Sequence, residues 1–238
     1  MGSLDYYKYQ AQARGITSFE DLRRGAHERA YLFDRVVLPW LPTDRSAPVV
    51  EIACGHGSFL YWLKERQYTK VSGVDSSQEQ VEFARQVGFP VHEMNANKWL
   101  ASQQPQGQQS IVAIDFIEHI PKDDFMDFLA GAARVLTSGG RLILRYPNGD
   151  SPLVGRNLFN DITHFWTYTT NCLETLGRMH GFRHFDFVDE GQAGIRDMRW
   201  IKAPLSKAAT LILGALFTAA TKERIRYWGP HIWACFGK

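Results

Sequence analysis

Three observations on this 238-residue chain predict an α/β fold with a doubly wound, mostly parallel sheet. Between residues 48 and 146, short strands alternate with helical segments. The strands are continuously apolar rather than alternating, and the first one runs directly into a glycine-containing turn that opens a helix. Strands of that kind are buried on both faces. Right-handed crossovers then wind the sheet so that ligands meet it at the carboxyl ends of its strands.

The elements follow in order. After a polar, Tyr-rich start, Phe19, Leu22, Ala26, Ala30, Phe33 and Val37 recur at three- and four-residue spacing. They predict a helix from about Ser18 to Leu38, capped by Ser18 with Asp21 and ended by Pro39 and Pro42. Pro48 to Ala53 is the first strand, Lys70 to Val74 the second, Pro90 to Met94 the third, Ser110 to Asp115 the fourth and Arg141 to Tyr146 the fifth. Helices are expected after Gly57, over Gln78 to Val87, and over Lys122 to Leu136. Beyond Asn148 the rhythm breaks into an irregular excursion, a helix from Thr169 to Met179 and a strand from Phe182 to Val188 with period-two alternation. An amphipathic or buried helix at about Pro204 to Arg224 and a final strand around Ile232 to Phe236 close the chain. The domain reading is 1–44 as an N-terminal helical segment over the ligand site, 45–190 as the core with 149–168 as a loop of its own, and 191–238 as a C-terminal addition.

Composition narrows the class. Lys+Arg 27 against Asp+Glu 25 gives +2, which offers no electrostatic footprint for nucleic acid. Cys54, Cys172 and Cys235 are scattered and odd in number, so a disulfide framework is not expected and a reducing cytoplasm fits. The N-terminus lacks the apolar run of a secretory signal, and the apolar stretch Ala208 to Ala220 is too short to span a bilayer.

Glu51-Ile-Ala-Cys-Gly-His-Gly57 lies at the first strand-to-helix junction. Gly55 and Gly57 let backbone turn tightly beneath a ligand. Asp75 ends the next strand 18 residues beyond Gly57, where a carboxylate can accept from both hydroxyls of a ribose. Position 60, where a dinucleotide fingerprint carries its third glycine, holds Leu60, and no P-loop Gly-Lys-Ser is present.

With these residues the sequence resembles the class I S-adenosylmethionine-dependent methyltransferases over roughly residues 45 to 190. The resemblance implies a seven-stranded Rossmann-like methyltransferase sheet with one antiparallel strand, which the alternating Phe182 to Val188 segment suits. It also implies S-adenosyl-L-methionine as cofactor: Glu51 and Ala53 near the methionine amino group, Gly55 and Gly57 beneath it, Asp75 and Ser76 at the ribose. Asn95 and Ala96 fall at the adenine, with Asn95 where the family usually has Asp, while Asp115 and Phe116 line the methionine side. Asp115-Phe-Ile-Glu-His119 resembles a branch containing the ubiquinone-type O-methyltransferases and the small-RNA 3′-end methyltransferases. That resemblance implies catalytic roles for Glu118, His119 and His164. Asp115, Glu118, His119 and His164 would then form a divalent-metal set for Mg²⁺, Mn²⁺ or Zn²⁺. The alternative is that Glu118 and His119 merely start the next helix and Asp115 serves only the cofactor.

The PN…SP loop followed by Asp161-Ile-Thr-His-Phe-Trp166 is similar to bacterial methyltransferases of surface-polysaccharide synthesis. Phe159, Phe165, Trp166 and Tyr168 beside Asp, Asn, Thr and His would suit a sugar ring. The expected activity is therefore O-methylation of a sugar or glycan hydroxyl. Its rivals are a phenolic or quinone-like acceptor, or a non-catalytic cofactor-binding scaffold. The helix after Pro204 is expected to be buried on the core or in a homo-oligomer interface; as the sharper alternative it lies on the inner face of a membrane.

Overall fold

The computed structural model describes residues 18–193 and 199–238. The Tyr-rich opening stretch lies outside the described residues, as do the side chains of Pro204, Leu205 and Lys207. Helix α1 (Phe19–Leu32) begins with a reciprocal capping box: the Asp21 amide donates to Ser18 Oγ at 3.2 Å and the Ser18 amide to Asp21 Oδ2 at 3.0 Å. A wider π-helical turn (Phe33–Val37) continues it and buries Phe33, Val36 and Val37, and a 3₁₀ turn (Leu38–Trp40) carries the chain past Pro39, which opens that turn rather than ending the helix.

There follow β1 (Val49–Ile52), α2 (Ser58–Glu65), β2 (Val71–Asp75), α3 (Gln78–Ala84), β3 (Val91–Glu93), α4 (Ala96–Ser102), β4 (Gln108–Ile114), α5 (Lys122–Val135) and β5 (Leu136–Pro147). A short helix α6 (Gly155–Leu158) sits in the long loop, then come α7 (Thr170–Met179), β6 (His184–Asp189), α8 (Glu190–Ala193), α9 (Arg199–Thr221) and β7 (His231–Gly237). The seven strands lie in the order β3-β2-β1-β4-β5-β7-β6, which is the Rossmann-like methyltransferase arrangement expected. The topology reverses between β1 and β4, so a crevice opens at the carboxyl ends of these strands.

Two apolar layers sandwich the sheet. On one face Phe33, Phe59, Leu60 and Trp62 from α1 and α2 meet Val49, Ile143 and Trp233. On the other, Trp99, Phe125, Phe128 and Leu129 from α4 and α5 meet Val50, Ile52, Leu142 and Leu144. Fully burying a side chain such as Phe128 contributes about 1.5–3 kcal/mol.

The antiparallel strand is β7, paired with β5 on one side and β6 on the other, and not the Phe182–Val188 segment. Period-two alternation there reports an edge strand with one wetter face, which carries no information about direction. The strand expected within a C-terminal addition beyond residue 190 is thus an internal strand of the sheet. Among the described residues no helix is long and apolar enough to cross a membrane.

Candidate active site

The turn after β1 departs from ordinary backbone: Ala53, Gly55 and Gly57 all have positive φ (54°, 51° and 88°). At Gly57 a Cβ would sit 3.1 Å from Ala84 Cβ, so glycine lets the turn press against α3. The Gly55 amide donates to Asp75 Oδ2 at 2.8 Å and the Ser77 amide to Oδ1 at 2.9 Å, binding the two strand ends together. Burial raises the Asp75 pKa, with those backbone donors working against it. Glu51, next to the turn, is buried, and its Oε2 has no hydrogen-bond partner. Burial, reinforced by the Asp75 charge, pushes its pKa well up, and the Arg29 charge opposes this. A buried acid with an unmet oxygen is matched by a ligand cation.

Asn95 caps α4, its Oδ1 accepting from the amides of Asn97 (3.0 Å) and Lys98 (3.2 Å), and Ala96 is buried at the first helical position. Helix capping therefore occupies the Asn95 carbonyl and leaves its amide donors for a ligand. Ser76 follows Asp75 at the end of β2, and its amide adds a third donor toward that carboxylate. His56 Nδ1 lies 2.6 Å from Gln80 Oε1, which ties this ring to α3.

Asp115 stands just past β4 with φ 52°. Its carboxylate is ion-paired to Arg145 on β5, which also grips Glu190 through Nε (2.5 Å) and Nη2 (2.8 Å). Trp233 Nε1 donates to Glu190 Oε2 at 2.9 Å. Burial would raise both carboxylates, yet Arg145 holds each below its ordinary value. Sequence reasoning missed Arg145, Glu190 and Trp233. An arginine inside the apolar run Arg141 to Tyr146 was the available signal for the first; Glu190 carried none. Phe116 turns into the core against Phe128, ring centroids 5.3 Å apart.

The expected four-residue metal set is only partly assembled. Glu118, His119 and His164 each offer a ligand atom within 4.8 Å of the others, whereas the Asp115 carboxylate is held by Arg145 and lies outside that group. His119 and His164 pack edge to face, centroids 4.6 Å apart. Glu118 is buried with Oε2 unpartnered, and burial with the nearby Asp115 charge pushes its pKa well up. Burial and the adjacent His164 bring the His119 pKa down to about 4, so this ring is neutral at pH 7.

Hydrogen bonding then sets the ring tautomers. Thr163 Oγ1 donates to Asp161 Oδ1 at 2.6 Å, so its one hydrogen is committed. His119 Nδ1, 2.9 Å from the same oxygen, must be the donor there, which makes Nε2 the acceptor nitrogen of that ring. His164 Nδ1 faces the Leu158 carbonyl at 3.0 Å, which can only accept, so in the neutral ring Nε2 is again the acceptor nitrogen. Two imidazole lone pairs and a carboxylate form the donor set that divalent ions use.

The loop 149–168 is held in place by polar side chains at its head. Buried Asn148 donates to the carbonyls of Tyr227 (3.1 Å) and Gly229 (2.8 Å), and Ser151 Oγ donates to that of Trp228 (3.2 Å). A Cβ on Gly149 would lie 2.5 Å from the Tyr168 carbonyl oxygen, so glycine permits the two ends of the loop to meet. Tyr168 is buried against Phe125, whereas Phe159, Phe165 and Trp166 remain exposed.

The glycine turn, Asp75 and the cluster of Glu118, His119 and His164 thus stand near the carboxyl ends of neighbouring strands in one seven-stranded sheet. A family model for the methyltransferase domain matches residues 25–186, more than half of the chain. The chain belongs to that family and is an S-adenosylmethionine-dependent methyltransferase of class I. Among solved structures it is similar to an S-adenosylmethionine-dependent methyltransferase from Archaeoglobus fulgidus, with 18% identity over 98% of this chain and 99% of that one and a TM-score of 0.71. A Thermotoga maritima enzyme described as a possible histamine N-methyltransferase shares 21% identity over 90% of this chain and 91% of that one, TM-score 0.62. Phosphoethanolamine N-methyltransferase 2 from Haemonchus contortus, in complex with phosphomonomethylethanolamine and S-adenosylhomocysteine, shares 14% over 94% of this chain and 60% of that one, TM-score 0.58. At such identities the likeness is one of fold. No curated protein matches the chain.

Proposed function

We propose that the enzyme transfers the methyl group to a hydroxyl, with a sugar or glycan as acceptor, in keeping with the polysaccharide-associated branch its loop resembles. One observation carries this reading: Glu118, His119 and His164 each bring a ligand atom within 4.8 Å of the others, immediately beyond β4. An amine acceptor already carries its nucleophilic pair once neutral. A hydroxyl needs its proton removed or its oxygen polarised, and this cluster can do either. The exposed rings of Phe165 and Trp166 adjoin His164 in sequence and offer apolar faces to a pyranose.

When bound, S-adenosylmethionine supplies an electrophilic methyl on its sulfonium. Glu51 would hold the ammonium and Asp75 the ribose hydroxyls, fixing the line of attack. His119 Nε2 would take the hydroxyl proton as the oxygen accepts the methyl group from the sulfonium, so that S-adenosylhomocysteine leaves and the proton stays on the imidazole. Glu118, His119 and His164 would alternatively hold a divalent ion (Mg²⁺, Mn²⁺ or Zn²⁺), which lowers the pKa of a hydroxyl that it binds.

Incubation with labelled cofactor and a panel of glycans, followed by mass spectrometry, tests the acceptor. Label on a sugar oxygen is the expected result, and label confined to amines, or to phenols and quinols, overturns it. Turnover lost to a chelator and restored by a divalent ion assigns activation to the metal; chelator-insensitive turnover assigns it to His119 as base.

A further inference from the structure

We infer that the protein docks on an anionic lipid surface through two neighbouring apolar patches, the loop 149–168 and helix α9. Of the large hydrophobic side chains exposed among the described residues, all but Met94 and Met179 fall in these two segments. The loop presents Leu153, Phe159, Ile162, Phe165 and Trp166, with Phe159 and Ile162 each 83% exposed. Helix α9 presents Leu211, Ile212, Leu213 and Leu216, with Leu211 at 74%. Patches of this kind on a folded protein mark a contact surface.

The two patches flank one structural joint. Phe217 of α9 packs edge-on against Trp228 at 6.3 Å between centroids, and Gly214 faces the same indole. The Trp228 amide is held by Asp189 Oδ2 at 2.8 Å and its carbonyl by Ser151 at the head of the loop. Asn157 in the loop donates to the Pro230 carbonyl at 3.3 Å. Thus both segments lean on residues 228–230.

The geometry of α9 selects the occupant. At 100° per residue, Leu211, Ile212, Leu213 and Leu216 cover an arc of about 200°. A partner helix covers a narrow seam of two positions per heptad, so a second copy would leave much of this arc wet. An acyl boundary covers all of it. The charges agree: Lys222, Arg224 and Arg226 are exposed directly after the helix against only Glu223. In the other patch Arg156 is exposed, and Lys122 stands 3.7 Å over the Trp166 ring. Cations rimming aromatic and aliphatic side chains are the chemistry that meets anionic headgroups.

The consequence, a glycan acceptor presented on a lipid, rests on the function proposed above, whereas docking itself does not, and the experiment reads docking alone. The full chain is co-sedimented with vesicles of phosphatidylcholine, and of phosphatidylcholine with phosphatidylglycerol, beside three variants: L211D/L216D, F159D/I162D and K222Q/R224Q/R226Q. Wild type is expected to pellet with the anionic vesicles and to be released by salt. Each variant should bind about tenfold or more weakly while keeping wild-type affinity for S-adenosylhomocysteine, which shows that it is folded. Wild type remaining in the supernatant, or undiminished binding by L211D/L216D and F159D/I162D, overturns the inference. So does a dimer in light scattering that L211D/L216D splits while vesicle binding is absent, since α9 is then covered by a second copy.

Discussion

Replacing Thr163 by Val tests how His119, the base proposed above, is oriented. Valine keeps the shape of threonine but removes the oxygen that accepts from His119 Nδ1 and donates to Asp161. His119 is largely buried, so its Nδ1–H loses the Thr163 acceptor, and a buried unsatisfied donor costs about 1–3 kcal/mol. That cost falls on the Nδ1–H tautomer and reduces its share by about 5- to 150-fold. Loss of an orienting partner behind a ligand or base commonly costs 10–100-fold in metal affinity or activity, about the same range. The expected result is kcat down by about tenfold to a hundredfold with S-adenosylhomocysteine affinity unchanged in calorimetry. Thr163→Ser should restore most of the loss, because its hydroxyl can make both bonds. Long-range ¹⁵N spectra of the histidines should show His119 moving from the Nδ1–H to the Nε2–H form. Wild-type turnover in the Val variant, or an unchanged tautomer, refutes the reasoning.

Further outcomes follow from the same contacts. Asp75→Ala removes the acceptor shared by the Gly55 and Ser77 amides and should abolish cofactor binding in calorimetry; retained affinity would remove that site from the cofactor. Arg145→Met leaves Glu190 and Asp115 unpaired in a low-dielectric region and should cost about 3–5 kcal/mol in denaturant unfolding at pH 7. The sign with pH follows from the lowered carboxylates. In wild type their stabilisation is present above the usual carboxylate range and is lost as pH falls through their depressed values. In the variant, burial is opposed only by the weaker pull of Arg29, His231 and the Trp233 hydrogen bond and raises them, so the deficit should shrink between pH 7 and 5, and a constant deficit contradicts the ion-pair account. Gly149→Ala forces a Cβ toward the Tyr168 carbonyl, so turnover should fall while cofactor affinity stays, because the clash lies in the loop and not at β1 or β2.

Legibility differed between the two halves of the site. Asp75, Gly55 and Gly57 were readable because their conformations and partners are settled by neighbours in one βαβ unit. Asn95 was placed correctly at the end of β3, but its carbonyl proved to be a helix cap, a local role that the unusual Asn for Asp could have signalled. The pairing of Asp115 was not readable, because Arg145 lies 30 residues on and Glu190 still further. The PN…SP loop reads in sequence as part of a sugar-facing segment, with its Asn among the polar contacts. Asn148 and Ser151 instead anchor the segment 227–230, some 80 residues away.

By itself the sequence determined the class of sheet, the crevice at its strand ends and the cofactor type, because periodicity, turn glycines and strand-end acids are short-range properties of the chain. The direction of β7, the burial of Arg145 with its two carboxylates, the tautomers of His119 and His164, and the withdrawal of Asp115 from the acceptor-side cluster were decided only in three dimensions. Each depends on groups far apart in the chain meeting where water is scarce, where an unpaired charge or donor costs too much to remain unpaired.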